Sequence, residues 1–130
     1  MKDEKPEDLK LRTKKFALRI IRLYSDLPKA MVAQVLGRQV LRSGTSVGAQ
    51  YREAFRAKSR ADFISKMEGA LQELDETQDW LELLVDSDTI AIKELQPLLN
   101  ETNELIAIFV TVVKRTKDRC CDANFILHNS

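Results

Sequence analysis

At 130 residues, 44% hydrophobic and 32% charged, the chain fits one domain with a buried core and is too apolar for a disordered polymer. Four glycines and three prolines supply too few turns for a β-sandwich or barrel, which points to helices. A net charge of +1 conceals an asymmetry: residues 25–60 carry seven basic and two acidic groups, whereas residues 61–104 carry two basic and twelve acidic ones. A folded chain of this pattern is electrically two-faced.

The first apolar set is Phe16, Ile20 and Leu23, with Ala17, Ile21 and Tyr24 beside it. Steps of three and four mark one helical face, and the spacing predicts a helix over 8–24. Ser25, Asp26 and Pro28 end it. Asp26 suits the N-cap of a second helix, and Pro28 suits its first turn, where no N–H is needed.

The second helix carries Val32, Leu36, Val40, Ser43, Val47, Tyr51 and Ala54 on one stripe. Its middle, Ser43-Gly44-Thr45-Ser46-Val47-Gly48-Ala49, is unusually small. A glycine costs up to about 1 kcal/mol against alanine inside a helix. Either the helix breaks there or a neighbouring backbone comes close; the unbroken stripe favours close approach.

Ser59 opens the third helix as a cap, with Asp62 well placed in the first turn. Phe63, Met67, Ala70, Leu74, Thr77, Leu81 and Leu84 follow at steps of three or four, a seam suited to antiparallel packing. Ser87 and Asp88 close it. In the fourth segment Pro97 interrupts the pattern. The expectation is a short turn near 89–95 and a main helix from Pro97 onward, with Leu98, Thr102, Leu105, Phe109 and Val113 inward and Leu95, Ile106 and Val110 flanking. Periodicity fades past Lys117. The predicted architecture is therefore an all-α, up-down four-helix bundle over residues 1–117, with a flexible tail over 118–130.

Chemistry-bearing residues are sparse. The one histidine, His128, stands near the end of the chain, so neither a di-iron bundle site nor a zinc site is expected. No cofactor, metal or catalytic residue is expected, and the chain reads as a non-enzyme. Glu73 with Glu76, or Asp75 with Asp79, are formally carboxylate pairs, but a solvated acidic face is the simpler reading. Cys120 and Cys121 are adjacent and read as free thiols. The polar start of the chain is unlike a signal peptide, and no apolar run approaches the roughly 18 residues of a membrane span. A cytoplasmic location without membrane contact is the expectation.

The informative feature is a cationic stripe. At about 100° per residue, Arg38, Arg42, Thr45, Ala49, Arg52 and Arg56 fall within a sector roughly 80° wide beside the apolar stripe. Arg38 with Arg42, and Arg52 with Arg56, stand at i, i+4, where like charges disfavour a helix by about 0.2–0.5 kcal/mol per pair. Such clustering calls for an anionic partner, and arginine suits planar contacts to phosphate or carboxylate. Lys58 and Arg60 extend the positive region. Two readings stay open: these six residues bind nucleic-acid phosphates, RNA or DNA, or they pair with carboxylates such as Glu53, Glu68, Asp75, Asp79, Glu82 and Asp86 within the chain or between subunits. Only Tyr51 offers an aromatic among the arginines, so backbone contact is expected rather than base stacking. Trp80, off the centre of the third seam, is either wide-core packing or an anchor at a subunit interface.

Two runs carry a family resemblance. The first is Gln39-Val40-Leu41-Arg42-Ser43-Gly44-Thr45-Ser46-Val47-Gly48-Ala49-Gln50-Tyr51-Arg52-Glu53-Ala54. The second passes from Ala57-Lys58-Ser59-Arg60-Ala61-Asp62-Phe63 through Lys66-Met67 and Glu73-Leu74 to Glu76-Thr77 and Trp80-Leu81. Together they resemble the four-helix-bundle proteins encoded in intervening sequences of large-subunit ribosomal RNA genes, over about residues 12–117. Gln50 stands where that pattern leads one to expect asparagine. The resemblance implies a closed ring of five bundles. It also implies a relation to the accessory variability proteins of diversity-generating retroelements, which bind nucleic acid through a basic surface and engage a reverse transcriptase. On this footing the chain is expected to be a nucleic-acid-binding homopentamer. The alternative is a scaffold oligomer, or a reverse-transcriptase accessory protein, whose arginines serve subunit contacts.

Overall fold

The computed structural model describes residues 6–120, with side chains from 8 to 119. Among them there are four helices and no strand: α1 (Pro6–Asp26), α2 (Met31–Phe55), α3 (Arg60–Asp86) and α4 (Ile92–Cys120). The connections are short, as in an up-down bundle. The closest backbone approaches are α1 to α2, α2 to α3 and α3 to α4. Arg12 ties α1 to α4, its Nε and Nη2 each donating at 2.8 Å to the two Glu101 carboxylate oxygens. The expected tail falls mostly on 121–130, Cys121 and His128 included, which lie outside the described residues; α4 itself continues to Cys120.

The core follows the apolar periodicity. Phe16 and Ile20 of α1, Val40, Val47, Tyr51 and Ala54 of α2, Met67, Leu74, Leu81 and Leu84 of α3, and Leu98, Leu105, Phe109 and Val113 of α4 are all buried. The Tyr51 ring packs on Phe109 with centroids 5.7 Å apart, joining α2 to α4. Buried hydroxyls are satisfied locally. Thr13 donates to the Lys10 carbonyl and Thr102 to that of Leu98. Ser43 and Thr77 hydrogen-bond each other at 2.8 Å across the α2–α3 seam.

The small segment of α2 stays helical throughout. Its glycines face α1, as close approach requires. A Cβ built on Gly44 would stand 2.7 Å from Ile20 Cγ1, and one on Gly48 would stand 3.2 Å from Thr13 Oγ1. Any larger residue at position 44 would push α1 off the core.

Three expectations need correction. First, Asp26 ends α1 rather than capping α2, which begins at Met31 behind Ala30 with no side-chain cap. Buried Leu27 draws the connection into the core, and Gln34 Nε2 donates to the Pro28 carbonyl at 2.8 Å. The turn is thus held by packing and by a side chain from within α2. Second, Val32 is 57% exposed, while Ala33 and Gly37 take the inward positions. Tyr24 and Leu27 of α1 fill the space over Gly37, so small residues are wanted there. Third, α4 is one helix across Pro97. Proline at the sixth position forfeits only the bond to the Lys93 carbonyl, in an exposed first turn where water can replace it. At the α3 start, Ser59 Oγ accepts from the Asp62 N–H at 3.0 Å, the cap the sequence predicts. At its end, Asp88 takes φ 60°, a conformation that aspartate tolerates.

Candidate nucleic-acid interface

The bundle divides the arginine stripe in two. Arg42 leans to α3, where Nη2 donates to Glu76 Oε1 at 2.7 Å and Nη1 lies 3.4 Å from Glu73 Oε2. The Glu76 hydrogen bond, and then the charges of Glu73 and Glu76, hold the guanidinium pKa above its ordinary value. Arg42 is about half exposed, and such pairs contribute about 1 kcal/mol or less. Its charge is nonetheless committed within the chain. For this one residue the carboxylate-pairing alternative holds. Glu53 and Glu68, weighed as partners for the stripe, pair with lysines instead: Glu53 with Lys66 at 3.3 Å and Glu68 with Lys117 at 2.8 Å.

Arg52 and Arg56 lean the other way, toward α1. There an open groove of about 450 Å³ is lined by Lys10, Thr13, Lys14, Ala17, Leu18, Thr45, Gly48 and Arg52. A second depression of about 130 Å³ is lined by Lys10, Arg52, Phe55 and Arg56. The two adjoin, sharing Lys10 and Arg52, and together make a trough between α1 and α2. Among the described residues no carboxylate lines either part. Gly48 gives the trough its floor: the Arg52 guanidinium lies back over it, with Nη1 3.6 Å from where a Cβ would stand.

The remaining stripe residues are spread out. Arg38 is exposed, but it precedes Arg52 by fourteen residues, roughly 21 Å along the axis at 1.5 Å per residue. Lys58 is exposed in the α2–α3 connection, and Arg60 is half-buried in the first turn of α3, where it is engaged within the chain. Trp80 is half-buried and packs against the core. Its Nε1 is sealed from solvent and finds no acceptor among the described residues.

Sequence reading missed Lys10, Lys14 and Phe55. Tyr51, the aromatic it named, is 4% exposed and belongs to the core, whereas Phe55 is 48% exposed beside Arg52 and Arg56. Two signals were available. Lys10 and Lys14 stand at i, i+4 on the flank of the Phe16–Ile20 face, and Phe55 follows Tyr51 by one turn at the helix end.

The acids gather on α3. Asp75, near Asp79, has its carboxyl pKa raised, first by partial burial and then by the neighbouring charge. Glu73 and Glu76 share one arginine rather than standing as a free pair. Among the described residues no group of three or more histidine, cysteine or acidic side chains could hold a metal ion. No helix of these residues is long and apolar enough to cross a membrane.

Over the described residues, fold and surface define a four-helix, strand-free protein with a cationic trough between its first two helices and an acidic third helix. Residues 8–111 match the 23S rRNA-intervening sequence protein family, and the chain belongs to that family. A solved structure from Bacteroides thetaiotaomicron, described as a protein with unknown function from the S23 ribosomal protein family, is 40% identical. It matches with a TM-score of 0.80 over 85% of this chain and 99% of its own. No curated protein matches.

Proposed function

We propose that this chain is a non-enzymatic, nucleic-acid-binding protein that acts as a homo-oligomeric ring, five copies being the number implied by the family resemblance. The observation that carries the reading is the split of charge. Lys10, Lys14, Arg52 and Arg56 converge on a trough that no carboxylate of the described residues lines, although α3 of the same chain has acids in plenty. A cationic cluster that no acid of the described residues lines suits phosphates. Arg38 and Lys58 widen the positive surface, whereas Arg42 keeps to Glu73 and Glu76. The family description speaks of an intervening sequence of 23S rRNA, which makes RNA the first ligand to try. Fold alone does not assign the activity, so the site must carry it.

Assembly draws support from α1, whose outward face exposes Leu11, Leu18 and Ile21 at 43–53%. A scaffold role is the second reading; it does not draw on Arg42, which is held by Glu73 and Glu76 of its own chain. A reverse transcriptase is the protein partner that the resemblance adds, with the cytoplasm as the compartment. The test is a titration of the chain with structured RNA, duplex DNA and single strands at several salt concentrations, beside light scattering. Salt-sensitive binding by a pentamer is expected. A pentamer with no affinity for any strand would leave the scaffold reading, and a monomer at micromolar concentration would refute the ring.

A further inference from the structure

We propose that the α1–α2 trough is a site for an unpaired nucleic-acid strand, with Phe55 stacking on a base while Lys10, Lys14, Arg52 and Arg56 follow the phosphates. The inference rests on the nucleic-acid reading above and adds to it the strand form and the stacking residue.

Two independent features meet in the trough. The first is charge: four cations line it, from two helices, and among the described residues no carboxylate does. The second is an exposed aromatic. Phe55 closes α2 and is 48% exposed. Its inner edge rests on Tyr51, with centroids 5.1 Å apart and planes at 75°. Tyr51 in turn packs on Phe109 in the core. The ring is therefore backed by a rigid aromatic series and presents its outer surface to solvent beside Lys10, Arg52 and Arg56. The Tyr51 contact secures one side of the ring, while the half left in water gains nothing within the chain. Over a base it gains a stacked contact. The depression there, about 130 Å³, is close to the roughly 150 Å³ that accommodates a benzene ring.

Strand form follows from the same geometry. Bases in a duplex are stacked on one another and offer no free face, whereas an unpaired strand can splay a base onto an aromatic. From Thr45 to Arg56 the trough follows α2 for roughly 16 Å at 1.5 Å per residue, room for a few nucleotides. Thr45 and the floor at Gly48 keep its far end low and polar, so the backbone can lie close to Lys14 and Arg52. Neither feature reads a sugar, so RNA and DNA strands share the site chemistry.

The test compares a short labelled RNA strand, the same sequence as DNA, the RNA duplex, and an abasic strand of equal length that keeps its phosphates and loses its bases. The intact single strands should bind the unmodified protein about 5- to 150-fold more tightly than the abasic strand, the range for one stacked base. Phe55→Leu should bind intact and abasic strands alike, with the salt slope unchanged. Lys14→Ala should instead weaken both strands and flatten the slope by about 0.7. Equal affinity of the unmodified protein for intact and abasic strands would overturn stacking and leave the nucleic-acid reading in place. So would a preference for the duplex. Loss of assembly in Phe55→Leu, with the unmodified protein indifferent to base removal, would make Phe55 a subunit contact and overturn the proposal. Failure of every strand to bind would take down the proposal and the reading beneath it together.

Discussion

Replacing Gly44 by alanine should destabilise the bundle, whereas the same change at Gly48 should leave it near its present stability. Both variants gain up to about 1 kcal/mol of helix propensity. They differ in what the new methyl group meets. At Gly44 it would stand 2.7, 3.0 and 3.1 Å from Cγ1, Cγ2 and Cδ1 of Ile20. All three atoms belong to one fully buried, β-branched side chain, so no simple rotation clears them. Overpacking of this kind costs about 1–3 kcal/mol. At Gly48 the nearest atom is Thr13 Oγ1 at 3.2 Å and the next stands at 3.5 Å, a contact that needs a shift of only a few tenths of an ångström. The Gly44 variant should therefore be less stable than the Gly48 variant by about 1–3 kcal/mol. Urea unfolding followed by circular dichroism measures this, at one chain concentration so that any self-association would weigh equally on both variants. If Gly44→Ala proves as stable as Gly48→Ala, the α1–α2 approach is not what excludes a side chain there.

Two further outcomes bear on the core and on the acidic helix. Leu74 is wholly buried at the middle of α3, so Leu74→Ala should cost about 2–5 kcal/mol; a loss below about 0.5 kcal/mol in reversible unfolding would misplace the core. Asp75 has a folded-state pKa above its unfolded one, so the folded chain binds its proton more readily, and this contribution falls as pH rises from the ordinary aspartate range through the raised value. Asp75→Asn should remove that part of the pH dependence and be neutral or stabilising at pH 7; clear destabilisation at pH 7 in the same unfolding assay would contradict the assignment.

The helices were legible because each buries a stripe at steps of three and four, and the Ser59 cap because its chemistry is local. The start of α2 was not, since Leu27 and Gln34 set it by tertiary packing. Position 32 was misread for a related reason: an apolar residue was counted inward where Ala33 and Gly37 make room for Tyr24. Pro97 was read as a break because the rule against proline weakens so near a helix start. Of the candidate site, the cationic character of α2 was visible. Its division was not, because 80° of arc around one helix looks continuous until α1 and α3 are placed on either side. Arg42 then meets Glu73 and Glu76, while Arg52 meets Lys10 and Lys14. Those two lysines belong to a different helix, and only the α1–α2 packing brings them beside Arg52.

The most direct test of the account sets Arg52→Ala against Arg42→Ala in a fluorescence titration with single-stranded RNA at several salt concentrations. Phosphate binding releases condensed counterions, so the logarithm of affinity should fall linearly with the logarithm of salt, by about 0.7 per contact on a single strand. Four contacts in the trough would give a slope near −2.8. Arg52→Ala should flatten the slope by about 0.7 and weaken different sequences about equally, because backbone contacts carry no sequence information. Arg42→Ala should leave the slope where it was, since its charge is already matched by Glu73 and Glu76. The account is contradicted if the two variants change places, with Arg42→Ala flattening the slope and Arg52→Ala leaving it intact, or if the unmodified protein binds no strand more tightly as salt is lowered.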